Sequence, residues 1–129
     1  MSEGTILVID DDIIQREQLV TILHQQGFRV LTATDGNEAL NLLSSRPLPD
    51  LILLDTLIFN RYFDGWWFLE QRKCFPALAS VPVIITTELT LASQEWATAL
   101  GAVGLLRKPV EAEALLLEIH RCLSITERN

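Results

Sequence analysis

The sequence predicts an α/β domain built on a five-stranded parallel sheet. Five short apolar runs, rich in leucine and β-branched residues, alternate with stretches of helical spacing. The runs are almost continuously apolar, which suits strands covered by helices on both faces. A chain of 129 residues, 49% hydrophobic and 21% charged, is one domain of ordinary size with enough apolar side chains for a core.

The strands are expected at 5–9, 28–33, 51–54, 82–86 and 103–106. The first is followed by Asp10, Asp11 and Asp12, and Asp12 is placed to cap the next helix, where acids favour the positive end of the dipole. That helix carries Leu19, Ile22 and Leu23 on one face and stops at Gly27. A second starts near Asp35 and carries Ala39, Leu40, Leu42 and Leu43. A third follows Asp64-Gly65, with Trp66, Phe68 and Leu69 directed inward. A fourth, over 91–100, has Trp96, Ala97 and Leu100 at helical spacing and ends at Gly101. The last runs over 110–123, after Pro109. The domain is expected to fill residues 1–129, with a core over about 4–123 and a short C-terminal tail.

Composition narrows the function. Ten basic against 17 acidic residues give a net charge of −7, which disfavours direct nucleic-acid binding and attraction to anionic membranes. No apolar run approaches the roughly 20 residues of a membrane span, and the N-terminus lacks a signal-peptide pattern. Cys74 and Cys122 have no close cysteine partner, so reduced thiols in a cytoplasmic protein are expected. His24 and His120 have no second metal-ligand type at suitable spacing and read as ordinary helix residues.

In a parallel sheet the ligand site lies at the carboxyl ends of the strands. Asp10 and Asp11 follow the first strand, Asp55 the third, Thr87 the fourth and Lys108 the fifth. Gathered carboxylates repel unless a cation joins them, and hard oxygen ligands suit Mg²⁺. A metal, an ammonium and a hydroxyl facing one point are what a phosphoryl group needs, and an aspartate carboxylate can be the nucleophile that accepts it. Each residue alone has a plainer reading: a helix cap, a solvated strand end, a turn or a surface charge.

Taken in order, "ILVIDDD", "DLILLD", "PVIITT" and "GAVGLLRKPV" resemble the motifs of the response-regulator receiver domain of two-component signalling, over nearly the whole chain. The resemblance implies a doubly wound, flavodoxin-like sheet of strand order 2-1-3-4-5 with five helices. It implies that Asp55 is the phosphoacceptor, and that Asp10, Asp11, Asp55 and the backbone carbonyl of Leu57 hold Mg²⁺ or Mn²⁺. Thr87 and Lys108 would bind the phosphoryl oxygens, and Lys108-Pro109 would use the cis bond common in the family. The donor would be a phosphohistidine on a histidine kinase or phosphotransfer protein. The chain would be a phosphoacceptor regulatory domain rather than an enzyme.

The sequence also departs from the family. Phe59 stands where the family commonly has a proline, and Asp64-Gly65 comes two residues late, which implies an insertion in "TLIFNRYF". Its Ile58, Phe59, Tyr62 and Phe63 would pack over the site or meet a partner. Trp67 takes a normally polar place, and an exposed Trp there would be a partner contact. Glu88 replaces a small residue beside Thr87; it would crowd the phosphoryl pocket or turn outward. Leu57 and Leu89 occupy places that influence the water attacking the aspartyl-phosphate; leucine cannot orient a water, so slow dephosphorylation is expected. Leu105 replaces the aromatic switch residue of the family, so any readout there must be built differently.

After the last helix only "LSITERN" remains, so a stand-alone or excised receiver acting through an unknown downstream protein is expected, as a monomer or weak dimer. Ile13 and Ile14, beside the acidic site, would meet the donor; the alternative puts one of them in the core. Two other functions stand against this reading. One is a receiver-shaped interaction module that works without phosphorylation. The other is a phosphohydrolase of the haloacid-dehalogenase type, with Asp10 as nucleophile and Asp12 as acid; Glu88 alone would stand for that family's late acidic pair.

Overall fold

A computed structural model describes residues 4–44, 47–55 and 64–128. The chain alternates strands and helices in the order β1 (Thr5–Ile9), α1 (Ile13–Gln25), β2 (Arg29–Ala33), α2 (Gly36–Leu43), β3 (Leu51–Asp55), α3 (Asp64–Arg72), α4 (Pro76–Ala79), β4 (Val83–Thr87), α5 (Gln94–Ala99), β5 (Gly104–Arg107) and α6 (Ala112–Arg128). The strands form one sheet of order β2-β1-β3-β4-β5, and every pairing is parallel. This is the expected doubly wound order.

The period of two along each strand divides the core. Leu7, Ile9, Ile52, Leu54, Val83 and Ile85 face one layer, together with Ala39, Phe68, Leu78 and Ala97 from α2 to α5. Ile6, Val8, Leu51, Leu53, Ile84 and Leu106 face the other, against Leu19 and Leu23 of α1 and Leu115 and Ile119 of α6. Both faces are thus buried at the centre of the sheet, which is why β1, β3 and β4 are almost continuously apolar, whereas edge strand β2 exposes Arg29 and Thr32.

Caps set the helix ends. Asp12 accepts hydrogen bonds from the backbone N–H groups of Ile14 and Gln15 at 2.9 and 3.1 Å, so it caps α1 as expected. Removing such a cap costs about 1 kcal/mol; Asp12→Ala is therefore expected to lower stability by that amount in urea melts. Asp35 caps α2 through the Glu38 N–H. Past α1 and α5 the chain reverses at Gly27 and Gly101, whose φ values of 89° and 98° favour glycine.

Several boundaries differ from the sequence reading, most of them by one residue. Strand β4 runs one residue further, to Thr87, and β3 includes Asp55, so both chemical residues end their strands. Helix α5 starts at Gln94 because Ser93 caps it through the Trp96 N–H, which leaves Leu91 outside, 95% exposed. Helix α6 runs on to Arg128 where an end near Leu123 is predicted. The short α4, a sixth helix, has one signal in the sequence: Pro76 at its first turn.

Arg72, at the end of α3, is buried; its guanidinium donates to the carbonyls of Ala79 and Val81 at 3.0 and 2.8 Å and so fastens the α3–β4 connection. Burial holds its pKa below the usual arginine value. Cys74 is exposed, Cys122 is buried, and no disulfide joins them. No helix among the described residues is long and apolar enough to cross a membrane.

Candidate functional site

The strand ends bring Asp10, Asp55, Thr87 and Lys108 to one edge of the sheet. Register explains this: Ile9 pairs with Leu54, Asp55 with Thr86, and Thr87 with Arg107. Asp10 is therefore one step past β1, Asp55 closes β3, Thr87 closes β4, and Lys108 is one step past β5. The Lys108 N–H donates to the Thr87 carbonyl at 2.8 Å, which continues the ladder beyond β5.

Lys108 Nζ donates to Asp55 Oδ1 at 2.8 Å and lies 3.7 Å from Asp10 Oδ2. The side chains of Lys108 and Asp55 are only 7% and 4% exposed, and that of Asp10 is 1% exposed. Burial pushes the Asp55 carboxyl up to about 7; the Lys108 hydrogen bond and charge pull it down, and neighbouring Asp10 and Asp11 push it further up. Burial also raises Asp10, against the Asp12 N–H, Lys108 and Asp55. Asp10 Oδ1 accepts the Asp12 N–H at 2.9 Å. Its other oxygen, Oδ2, is buried and lacks a hydrogen-bond partner among the described residues.

That orphaned oxygen tests whether a cation fits. Asp10, Asp11 and Asp55 each offer a carboxylate oxygen, all within 4.8 Å of one another. Three hard oxygens, with an unpartnered Asp10 oxygen beside them, form a cluster that could hold a metal such as Mg²⁺. Lys108 alone leaves the three carboxylates in excess of positive charge.

Asp11 is exposed beside the buried pair, as a group open to water should be. Thr87 is buried, and its Oγ1 accepts the Leu89 N–H at 3.1 Å. Glu88 is exposed, so its carboxylate turns outward rather than crowding the pocket. Leu89 is half-buried. Leu105 is half-buried against the α2–α5 layer, and its N–H donates to Glu118 Oε2 at 3.2 Å. Ile13 and Ile14 are both exposed, 62% and 68%, which removes the alternative that one belongs to the core. Trp67 corrects an expectation: it is partly buried and packs on the α2–α5 layer, because its wide indole reaches the core that Phe68 fills. Leu57, Phe59 and Tyr62 lie outside the described residues. Lys108-Pro109 is cis, as the resemblance implies.

One residue of the region carries no motif signal. Arg107, the last residue of β5, donates to the Leu89 carbonyl at 3.1 Å and to the Ala92 carbonyl. A charged residue closing an edge strand reads as a solvated end, so nothing in the sequence points to it.

An acid cluster with a buried lysine, at the carboxyl edge of a doubly wound sheet, marks an α/β domain whose strand ends could hold a metal ion or a phosphoryl group. Comparison with known proteins makes the class specific. The family described as "Response regulator receiver domain" matches residues 6–120. The chain is 30% identical to Protein PilH of Pseudomonas aeruginosa, over 92% of this chain and 97% of that one. It is 33% identical to "Probable transcriptional regulator ycf27" of Guillardia theta, over 95% of this chain and 46% of that protein; it thus spans about half the length of that longer relative. Among solved structures, the CheY-like response regulator receiver domain protein of Methanospirillum hungatei matches with a TM-score of 0.80 and 27% identity, covering 98% of both chains. The chain belongs to the response regulator receiver domain family, and is a regulatory domain of two-component signalling.

Proposed function

We propose that residues 1–129 form a single receiver domain that takes a phosphoryl group onto Asp55 from a phosphohistidine of a histidine kinase or phosphotransfer protein, in a Mg²⁺-dependent reaction, and thereby switches binding to a downstream protein. The observation that carries this reading is the buried Asp55–Lys108 contact at 2.8 Å beside the Asp10–Asp11–Asp55 cluster. An Asp55 oxygen attacks phosphorus, the P–N bond breaks, and the electron pair leaves with the imidazole nitrogen. Asp10, Asp11, Asp55 and the Leu57 carbonyl would hold the metal, which would supply charge neutralisation for the phosphoryl oxygens. Lys108 changes partner from the carboxylate to a phosphoryl oxygen, and Thr87 donates its hydroxyl proton to another.

The outward Glu88 supports access to this pocket. Asp12 engages its carboxylate in capping α1, which leaves the phosphohydrolase reading without its acid. Ile13 and Ile14 present apolar surface beside the site and would meet the donor; Phe59 and Tyr62 remain candidates for partner contact. The proposal places the protein in the cytoplasm, as a monomer or weak dimer.

Intact mass after incubation with acetyl phosphate and Mg²⁺ tests the reading. One phosphoryl group is expected on the wild type and none on Asp55→Asn. No gain with any small donor would reassign the protein as a receiver-shaped interaction module. Following the adduct after donor removal tests Leu57 and Leu89: a long-lived adduct is expected, shortened several-fold in Leu89→Glu, whose carboxylate can orient a water. A short lifetime unchanged by that substitution would sink the water-exclusion argument.

A further inference from the structure

We propose that Arg107 is a positioning residue that couples the phosphoryl-binding end of β4 to the edge strand β5, a link the chain needs because position 105 holds leucine. The inference rests on phosphoryl transfer to Asp55 as proposed above. Three side-chain hydrogen bonds hold the segment after Thr87, beside the backbone bond from the Ala92 N–H to the Leu89 carbonyl at 3.3 Å. The Leu89 N–H donates to Thr87 Oγ1 at 3.1 Å. The Leu89 carbonyl accepts from one terminal nitrogen of Arg107 at 3.1 Å, and the Ala92 carbonyl accepts from the other. Between these points Glu88 and Leu91 face solvent, while Ala92 is buried. Among the side chains of the described residues, one hydroxyl and one guanidinium hold the segment.

A ring of contacts results. Thr87 holds Leu89, Leu89 is held by Arg107, Arg107 is bonded to Lys108, and Lys108 holds Asp55 at 2.8 Å. Thr87 and Arg107 also face each other in register, and the Lys108 N–H bonds the Thr87 carbonyl. A threonine hydroxyl has one proton to donate and two acceptor lone pairs. It can give its proton to a phosphoryl oxygen while still accepting the Leu89 N–H. Movement of that hydroxyl toward Asp55 then carries the Leu89 amide with it. The far side of Leu89 is fixed to the guanidinium, so the displacement passes to Arg107 and to β5.

The residue type suits the task. Arg107 offers a planar fork whose two ends reach two carbonyls, whereas a lysine ammonium is a point charge on a flexible stem. Leu105, half-buried with its N–H on Glu118, has no hydroxyl to move between two partners. The signal therefore travels over the loop and through Arg107, rather than by rotation of a side chain at 105.

The test uses ¹⁵N-labelled wild type, Arg107→Ala and Arg107→Lys, with beryllofluoride and Mg²⁺ as the stand-in for the phosphoryl group. Wild type is expected to shift amides both at 87–92 and at 104–107. In Arg107→Ala the shifts at Thr87 remain, while those at Leu105 and Leu106 fall at least three-fold. Phosphoryl gain by mass stays within a few-fold of wild type. Arg107→Lys keeps the charge without the fork and is expected to lose the β5 response too; retention in this variant alone would reject the fork and keep the residue. Wild-type β5 shifts in both variants would overturn the coupling while leaving phosphorylation intact. A wild type that neither gains mass nor shifts with beryllofluoride would overturn the phosphorylation reading itself, and the coupling with it.

Discussion

Asp55→Asn is expected to stabilise the metal-free protein at pH 8 by on the order of 2 kcal/mol, while abolishing phosphoryl uptake. The cause is the placement of a carboxylate with 4% side-chain exposure beside two others. Its pKa rises from 3.8 to about 7, with burial as the largest cause. The folded state therefore holds the Asp55 proton more tightly than the unfolded chain does. Stability conferred by that proton is fully present below about pH 4 and is lost as pH rises toward 7. Above 7 the folded protein carries the full cost of the charge. Asparagine keeps the shape without the charge. The gain is smaller than the whole shift, because the substitution also takes from Lys108 its nearer partner and leaves Asp10 at 3.7 Å. Urea melts in EDTA at pH 5 and pH 8 check this. The gap between the two proteins should narrow at the lower pH, and Mg²⁺ should stabilise wild type far more than the variant. A variant less stable than wild type at pH 8 would mean that the Asp55–Lys108 pair outweighs the burial of charge.

Much of this site was legible because its residues are anchored by periodicity. Asp10, Asp55, Thr87 and Lys108 each follow an apolar run, and in a parallel sheet the ends of such runs meet. Their convergence needs no tertiary knowledge beyond the sheet. Residues whose partners are backbone atoms leave no such trace. Arg107 bonds the carbonyls of Leu89 and Ala92, and Arg72 those of Ala79 and Val81; any sequence provides carbonyls, so neither pairing has a signature. Arg72 looks like an ordinary helix-end cation and is instead buried. Trp67 was misplaced for another reason. Helical spacing assigns a face by angle, but an indole is wide enough to reach the core from the flank of the helix that carries Phe68. Glu88 shows the opposite limit: the sequence puts an acid next to the pocket, and only the turn after β4, with Leu89 bonded to Thr87, sends it outward.

Lys108→Met is expected to slow phosphoryl uptake from acetyl phosphate by about 100-fold at pH 7, the scale of removing one charged donor from a preorganised site. Two effects combine. The ammonium 2.8 Å from Asp55 is a buried cation that, in the proposed reaction, would meet a transferred phosphoryl oxygen, and methionine offers no donor there. The same ammonium is also what opposes burial in setting the state of Asp55: its hydrogen bond and its charge are the two causes that hold the carboxyl down. Without them the carboxyl rises further, and less of it is the nucleophilic carboxylate at neutral pH. The two effects separate in a pH profile. Loss of the donor lowers the rate equally at every pH, whereas loss of ionisation recovers as pH rises. Initial rates by intact mass from pH 6 to 9, at one fixed sub-saturating Mg²⁺ concentration so that the metal does not by itself hold Asp55 ionised, should show the variant deficit narrowing toward pH 9 without vanishing. A deficit that stays constant would assign Lys108 to phosphoryl binding alone. A deficit that disappears would assign it to control of Asp55, and Thr87 would then be the protein's main donor to the phosphoryl group.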